Sequence, residues 1–204
     1  MNLKKAIGIY DNIFSQSECK TLISRLEQAV EDGESYVGKA GDGADKAIKK
    51  STDYNILADS SNEFLSNLVM EKFNNTLSNE YLEKYPHLEN FDHHRVVNGK
   101  TFYPLLQIQK YDQNSGHFNT WHIEQEDKGT SDRVFVFILY LNDVDEGGET
   151  GFLFKEEGEK DYFKVKPKAG RLIIHPAAWP FIHKGLKPKS SDKYILTTWL
   201  CWSS

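Results

Sequence analysis

Apolar positions recur at two different periods along this chain, and the period changes near its middle. Cys19, Leu22, Ile23, Leu26 and Val30 stand three or four residues apart, which is the spacing of one helix face. Ser15 and Glu18 precede them as a capping-box pair, and Gly33 follows as a stop signal. A second run, Phe64, Leu65, Leu68, Val69, Phe73, Leu77 and Tyr81, predicts a longer helix opened by Ser60 and Glu63 and closed at Pro86. Residues 6–14, AIGIYDNIF, read as a short strand leading into the first helix. Between the helices YVGKAGDGADKAIKKSTDY has no apolar period and predicts a mobile loop, with residues 32–50 able to close over a substrate. Its Gly38, Gly41 and Gly43 lack the spacing of a phosphate cradle.

From residue 102 the period becomes two. FYPLLQIQKYD, HFNTWHIEQ, RVFVFILYLND, ETGFLF, YFKVKP, RLIIHP, PFIHKGL and KYILTTWLCW read as strands, separated by turn residues such as DQNSG, DVDEGG and KPKSSD. Both faces of RVFVFILYLND are apolar, so it is expected to be a central strand. Helices followed by strands predict an α+β fold: a double-stranded β-helix, or jelly roll, of about eight strands with the N-terminal helices packed on one sheet. The expectation is one domain spanning residues 1–204, helical to about residue 100 and jelly roll from about 101.

Composition narrows the class of partner. At 39% hydrophobic and 27% charged residues the chain reads as soluble and globular. A net charge of −5 gives no electrostatic reason to expect nucleic acid or an anionic membrane surface as a partner. No apolar run has the length of a signal peptide or a membrane span. Two cysteines imply no disulfide framework, so a cytoplasmic location is expected.

Candidate chemistry starts at His122 and Glu124. Two residues apart on a strand they share a face, although a His-x-acid pair alone is no rarer than chance in a chain with 7 His and 30 acidic residues. His183, about sixty residues on, supplies a third donor. Two imidazoles and one carboxylate suit ferrous iron with open positions, and three protein ligands also suit a catalytic zinc. Lys193 separates the two. If it points inward with Ile195, Thr197 and Trp199, its ammonium lies among apolar side chains and needs an anion. A small dicarboxylate fits that need, with Tyr140 and Thr197 as hydroxyl donors. The alternative is an exposed first residue of its strand. His93 and His94 are adjacent and point to opposite faces. His117 has the wrong offset from His122 to join it, and His175 reads as a pocket-wall residue.

Taken in order, QKYDQNSGHFNTWHIE, RVFVFILYLNDVDEGGETGF, KPKAGRLIIHP and FIHKGLKPKSSDKYILTTWL resemble the 2-oxoglutarate and Fe(II)-dependent dioxygenases of the prolyl 4-hydroxylase type, and IYDNIFSQSECKTLI and KKSTDYNI are similar to that family's N-terminal helix and loop. The resemblance implies that His122, Glu124 and His183 are the metal ligands. It implies that Lys193, Tyr140 and Thr197 bind 2-oxoglutarate, with Tyr111 and Trp199 lining its pocket. It implies Fe(II), 2-oxoglutarate and O2 as cofactor and cosubstrates, with ascorbate as a reductant. The implied reaction hydroxylates a C–H bond, on a peptidyl proline or on a free amino acid or other small metabolite. Three departures stand out. Glu124 takes the place of the family's usual Asp, Val136 that of a Thr, and GHFNTWH carries one extra residue before the histidine. A zinc hydrolase, a cupin-like iron enzyme and a non-catalytic jelly-roll binding module are the other readings these residues allow.

Overall fold

The first helix forms where its signals stand. In α1 (Gln16–Glu31) both halves of the capping box are made: Ser15 Oγ accepts from Glu18 N at 3.2 Å, and Glu18 Oε2 accepts from Ser15 N at 2.7 Å. Gly33 follows with φ +73°, the left-handed backbone that glycine adopts without penalty. The computed structural model describes residues 3–40, 43, 45–84, 101–154 and 162–203. Pro86, His93 and His94 lie outside them. The second helix, α2 (Glu63–Thr76), starts differently from its expected box. Asp59 caps the preceding 3-10 turn through Ser61 N, and α2 itself has no side-chain cap. Of the expected stripe, Val69, Phe73, Leu77 and Tyr81 are buried and Leu65 packs against the core, while Phe64 is 83% exposed; Ser66 and Thr76 are buried beside them.

Each of the eight predicted segments contains a strand. They are β5 (Thr101–Phe102) and β6 (Gln107–Tyr111), then β7 (His117–His122), β8 (Arg133–Tyr140), β9 (Thr150–Phe152), β10 (Phe163–Val165), β11 (Leu172–Pro176), β12 (His183–Gly185) and β13 (Lys193–Trp202). The expected helical half also contributes strands. β1 (Gly8–Tyr10) was legible, but β2 (Tyr36–Val37), β3 (Lys49–Lys50) and β4 (Thr52–Asn55) lie in the stretch expected to be a loop. They are too short to show a period. Pairing with strands distant in sequence forms β3 on β7 and β4 on β6, and β2 in turn pairs with β4.

Among the described residues the strands form two antiparallel sheets. The larger runs β1-β11-β8-β13-β6-β4-β2, with β5 also on β13, and the smaller runs β10-β9-β12-β7-β3. This is the jelly-roll arrangement, with the helices on the outer face of the larger sheet. That face packs Phe135, Phe137, Leu139, Leu196 and Leu200 against Leu22, Leu26, Val69 and Phe73. Alternation sends Val136, Ile138, Tyr140 and Ile195 to the other side, where they meet Phe152 and Phe181 between the sheets. The mouth of that inner space carries the candidate site.

Candidate metal centre

Three polar side chains converge where β7 meets β12. His122 ends β7 and pairs with His183, which opens β12. Glu124 lies just past the strand, its backbone N–H donating to Ala177 O at 3.1 Å. One donor atom from each of the three lies within 4.8 Å of the other two. Both rings are oriented through the nitrogen that faces away. His122 Nδ1 lies 2.9 Å from Thr120 O and His183 Nδ1 lies 3.0 Å from Phe181 O. Those carbonyls can only accept, so Nδ1 carries a proton, and Nε2 either donates to Glu124 or, once deprotonated, offers its lone pair to a metal. Glu124 Oε1 lies 3.6 Å from His122 Nε2 and 3.3 Å from His183 Nε2. Two Nε2 atoms and one carboxylate oxygen facing a common point make the donor set of a divalent metal site with open positions. Burial alone raises the Glu124 pKa, but the two imidazoles beside it hold it well below the usual carboxylate range.

The pairing of β12 with β7 shifts register between His183 and Gly185, so that Gly185 opposes Phe118 while His183 opposes His122. Phe118 and His122, four residues apart on β7, share one face, and their rings stack with centroids 4.0 Å apart at 16°. His117 turns away, with its ring nitrogens near Ser115 O and Ala47 O.

Lys193 takes the inward orientation. It is 2% exposed, its Nζ donates to Gly148 O at 3.2 Å and it lies 4.5 Å from the Tyr111 ring centroid. No carboxylate among the described residues is within ion-pair distance of it. Burial pushes its pKa down to about 8, against the pull of the Glu149 charge. Two glycines leave it room: a Cβ at Gly148 would sit 3.3 Å from Lys193 Cδ, and one at Gly185 would sit 3.7 Å from Nζ. A buried ammonium with one carbonyl partner, in a cradle open toward β12, suits an anionic group arriving from the metal side.

The remaining expected residues are placed as follows. Tyr140 OH is 2.6 Å from Thr150 Oγ1 and 3.1 Å from Val165 O, and it accepts from Thr150 N, so its hydrogen bonds are made within the protein. Thr197 donates to Phe137 O and Tyr111 donates to Gln109 Oε1. Trp199 reaches the metal side: its Nε1–H donates to Glu124 Oε2 at 2.9 Å. His175 is fully buried, its ring 4.8 Å from that of His183, and burial with the His183 charge pushes its pKa down to about 3. Its Nδ1 meets Pro176 O, and its Nε2 has no hydrogen-bond partner among the described residues.

Sequence reasoning assigned no role to Arg133, which opens β8 and donates to both Glu124 O at 3.0 Å and Glu124 Oε2 at 3.2 Å. The only signal was a charged residue directly before an apolar run. It also missed a buried pair, Lys49 with Asp53 at 2.8 Å, which joins β3 of the smaller sheet to β4 of the larger beside Phe118. Nothing in KKSTDY marks its lysine and aspartate as inward-facing.

Residues 106–201 match the profile of the 2OG-Fe(II) oxygenase superfamily. Prolyl 4-hydroxylase 13 of Arabidopsis thaliana is 32% identical over 108 residues, covering 45% of this chain and 38% of the plant protein. The chain thus matches less than half the length of that relative. A prolyl-4-hydroxylase from Pseudomonas putida superposes with a TM-score of 0.66 at 14% identity, over 96% of this chain and 92% of the other. A Trichoplax adhaerens prolyl hydroxylase, solved with a hypoxia inducible factor oxygen degradation domain peptide fragment, does so at 0.69 and 16% identity, over 97% and 84%. At such identities the two structures speak for the fold.

Proposed function

We propose that this chain, whose residues 106–201 match the 2OG-Fe(II) oxygenase superfamily, is a prolyl 4-hydroxylase-type dioxygenase acting on a peptidyl proline. One oxygen atom of O2 enters the substrate C–H bond as hydroxyl, and the other enters succinate as 2-oxoglutarate loses CO2. The observation that carries the reading is a juxtaposition. A two-histidine, one-carboxylate donor set stands at the mouth of the same inner space that holds a buried lysine with no acidic partner among the described residues. A hydrolytic zinc site or a non-catalytic binding module has no use for that lysine.

When bound, ferrous iron and 2-oxoglutarate supply the oxidising power. The chain supplies position and dryness. His122, Glu124 and His183 would hold the metal on one face and leave the other free. Lys193 would hold the distal carboxylate, its charge matched to an anion where water is excluded. Tyr111 packs beside the ammonium, while Ile138, Ile195 and Phe152 keep the inner wall apolar. Tyr140, whose hydroxyl is engaged by Thr150 and Val165, fixes the wall. The peptide rather than small-molecule substrate is supported by the names of the relatives. A further support is Trp179, 73% exposed, on the loop that runs from Ala177, which binds Glu124 N, to His183. An exposed indole on the loop joining these two points suits stacking on a proline ring.

Anaerobic addition of Fe(II) and 2-oxoglutarate should produce the visible charge-transfer band of the chelate. His122→Ala should abolish it, and a band that survives that change would overturn the reading. Proline-containing peptides incubated with the loaded protein should gain the mass of one oxygen atom. A gain seen only on free amino acids would move the substrate to a small metabolite.

A further inference from the structure

We infer that Arg133 and Trp199 form a clamp that makes Glu124 a one-oxygen metal donor, and that this clamp requires the full length of a glutamate side chain. The inference rests on the proposed metal centre and concerns this chain's own residues around it.

The backbone of Glu124 is pinned at both ends of its peptide units. Its N–H donates to Ala177 O at 3.1 Å, and its C=O accepts from Arg133 Nη1 at 3.0 Å. Its Cα therefore has little freedom to approach or retreat from the histidines. The side chain then divides its two oxygens. Oε2 accepts from Trp199 Nε1 at 2.9 Å and from Arg133 Nη1 at 3.2 Å. Oε1 is left facing His122 Nε2 and His183 Nε2. With one oxygen committed to two N–H donors, the carboxylate has one oxygen to offer a metal.

The two donors are themselves held. Arg133 and Trp199 come from adjacent, paired strands, β8 and β13, with Trp199 opposite Val136 and Cys201 opposite Arg133. The Arg133 guanidinium carbon lies 3.8 Å from the Trp199 ring centroid, so the cation rests on the indole face and each fixes the other. The distance from a pinned Cα to this shelf on one side and to the meeting point of the imidazoles on the other is spanned by two methylenes. An aspartate has one. It can keep the shelf or reach the metal position, but the same backbone does not let it do both. Arg133 and Trp199 are thus positioning residues, acting on the metal through Glu124.

The test measures metal binding rather than turnover. Mn(II) affinity is determined by titration calorimetry, with electron paramagnetic resonance of free Mn(II) as a second readout. It is measured on the full chain without 2-oxoglutarate, for wild type, Glu124→Asp, Trp199→Phe and the double variant. Trp199→Phe keeps an aromatic face beside Arg133 and removes the N–H together with the five-membered ring. Each single change should weaken Mn(II) by about 10–100-fold. In the double variant Trp199→Phe should add almost nothing, because an aspartate that reaches the metal has already left the indole. Circular dichroism and the thermal midpoint of each variant show that it is folded. Arg133→Lys, which keeps a charge but loses the fork and the stacking, should give a loss like that of Trp199→Phe.

Glu124→Asp binding Mn(II) as tightly as wild type would overturn the clamp, and so would strictly additive losses. If wild type binds no divalent metal through His122, the functional reading fails and the clamp falls with it. Tight wild-type binding that is indifferent to Trp199 removes the clamp alone.

Discussion

The two faces of the larger sheet are built from the same strands, yet they solve opposite problems. The outer face meets the helices through hydrocarbon and aromatic contacts, with Phe73 stacked on Phe137 at 5.0 Å and Phe14 edge-on to Phe73. Its few buried polar side chains are satisfied: Ser66 donates to Ile56 O, Thr76 to Lys72 O and Thr198 to Leu105 O. The inner face carries Lys193, His175 and Asp53, and His175 Nε2 on that side has no hydrogen-bond partner among the described residues. Unpaired buried polar groups cost stability. One face is optimised for folding, and the other gives up stability in order to bind.

Substitutions on the two faces should therefore fail in different ways. Phe137→Ala on the outer face removes a fully buried ring and should cost about 3–5 kcal/mol in urea unfolding, while the folded protein still binds Mn(II). Lys193→Met on the inner face should do the reverse. It should weaken 2-oxoglutarate by about 2–5 kcal/mol, read by titration under anaerobic Fe(II), while the thermal midpoint holds or rises. A fall in midpoint as large as that of Phe137→Ala would make Lys193 a structural residue and erase the contrast.

His175→Phe should raise stability by about 1–3 kcal/mol, because it removes a buried nitrogen without a partner from a site lined by Phe152 and Phe181. Mn(II) binding should be retained, since His175 is not in the donor set. Loss of the metal in this variant would assign His175 a part in the site.

The smallest expected effect is one of pH. In the free protein Lys193 has a pKa lowered to about 8 from the usual lysine value, so it is charged below that pH and neutral above it. Binding a carboxylate requires the charged form. Affinity for 2-oxoglutarate should be flat below about 8 and fall by up to about tenfold per pH unit above it, as binding has to take up a proton. The Lys193→Met variant should lose this slope. A slope that persists in it would belong to another group.

Much of this contrast is legible in the sequence. The period-two pattern of RVFVFILYLND separated Phe135, Phe137 and Leu139 from Val136, Ile138 and Tyr140, and those are the outer and inner sets. The capping box at Ser15 and Glu18 marked the start of α1. Lys193 stood out because its strand face was otherwise apolar. The strands of residues 36–55 were illegible, because two- to four-residue strands owe their existence to partners on β6 and β7 rather than to any local pattern. Phe64 was misplaced because a strong hydrophobe looks like core wherever helical spacing allows it.

The chain by itself determined the two apolar faces, the helix start and the residue types of the metal set, since each follows from local periodicity or donor chemistry. Only the tertiary structure decided which lone polar groups meet. Glu124, Arg133 and Trp199 are joined through hydrogen bonds of 2.9–3.2 Å, and Lys49 reaches Asp53 from the opposite sheet. The physical reason is that hydrogen bonds act over a few ångströms and carry no periodicity. Their partners become visible only when strand pairing brings distant segments together.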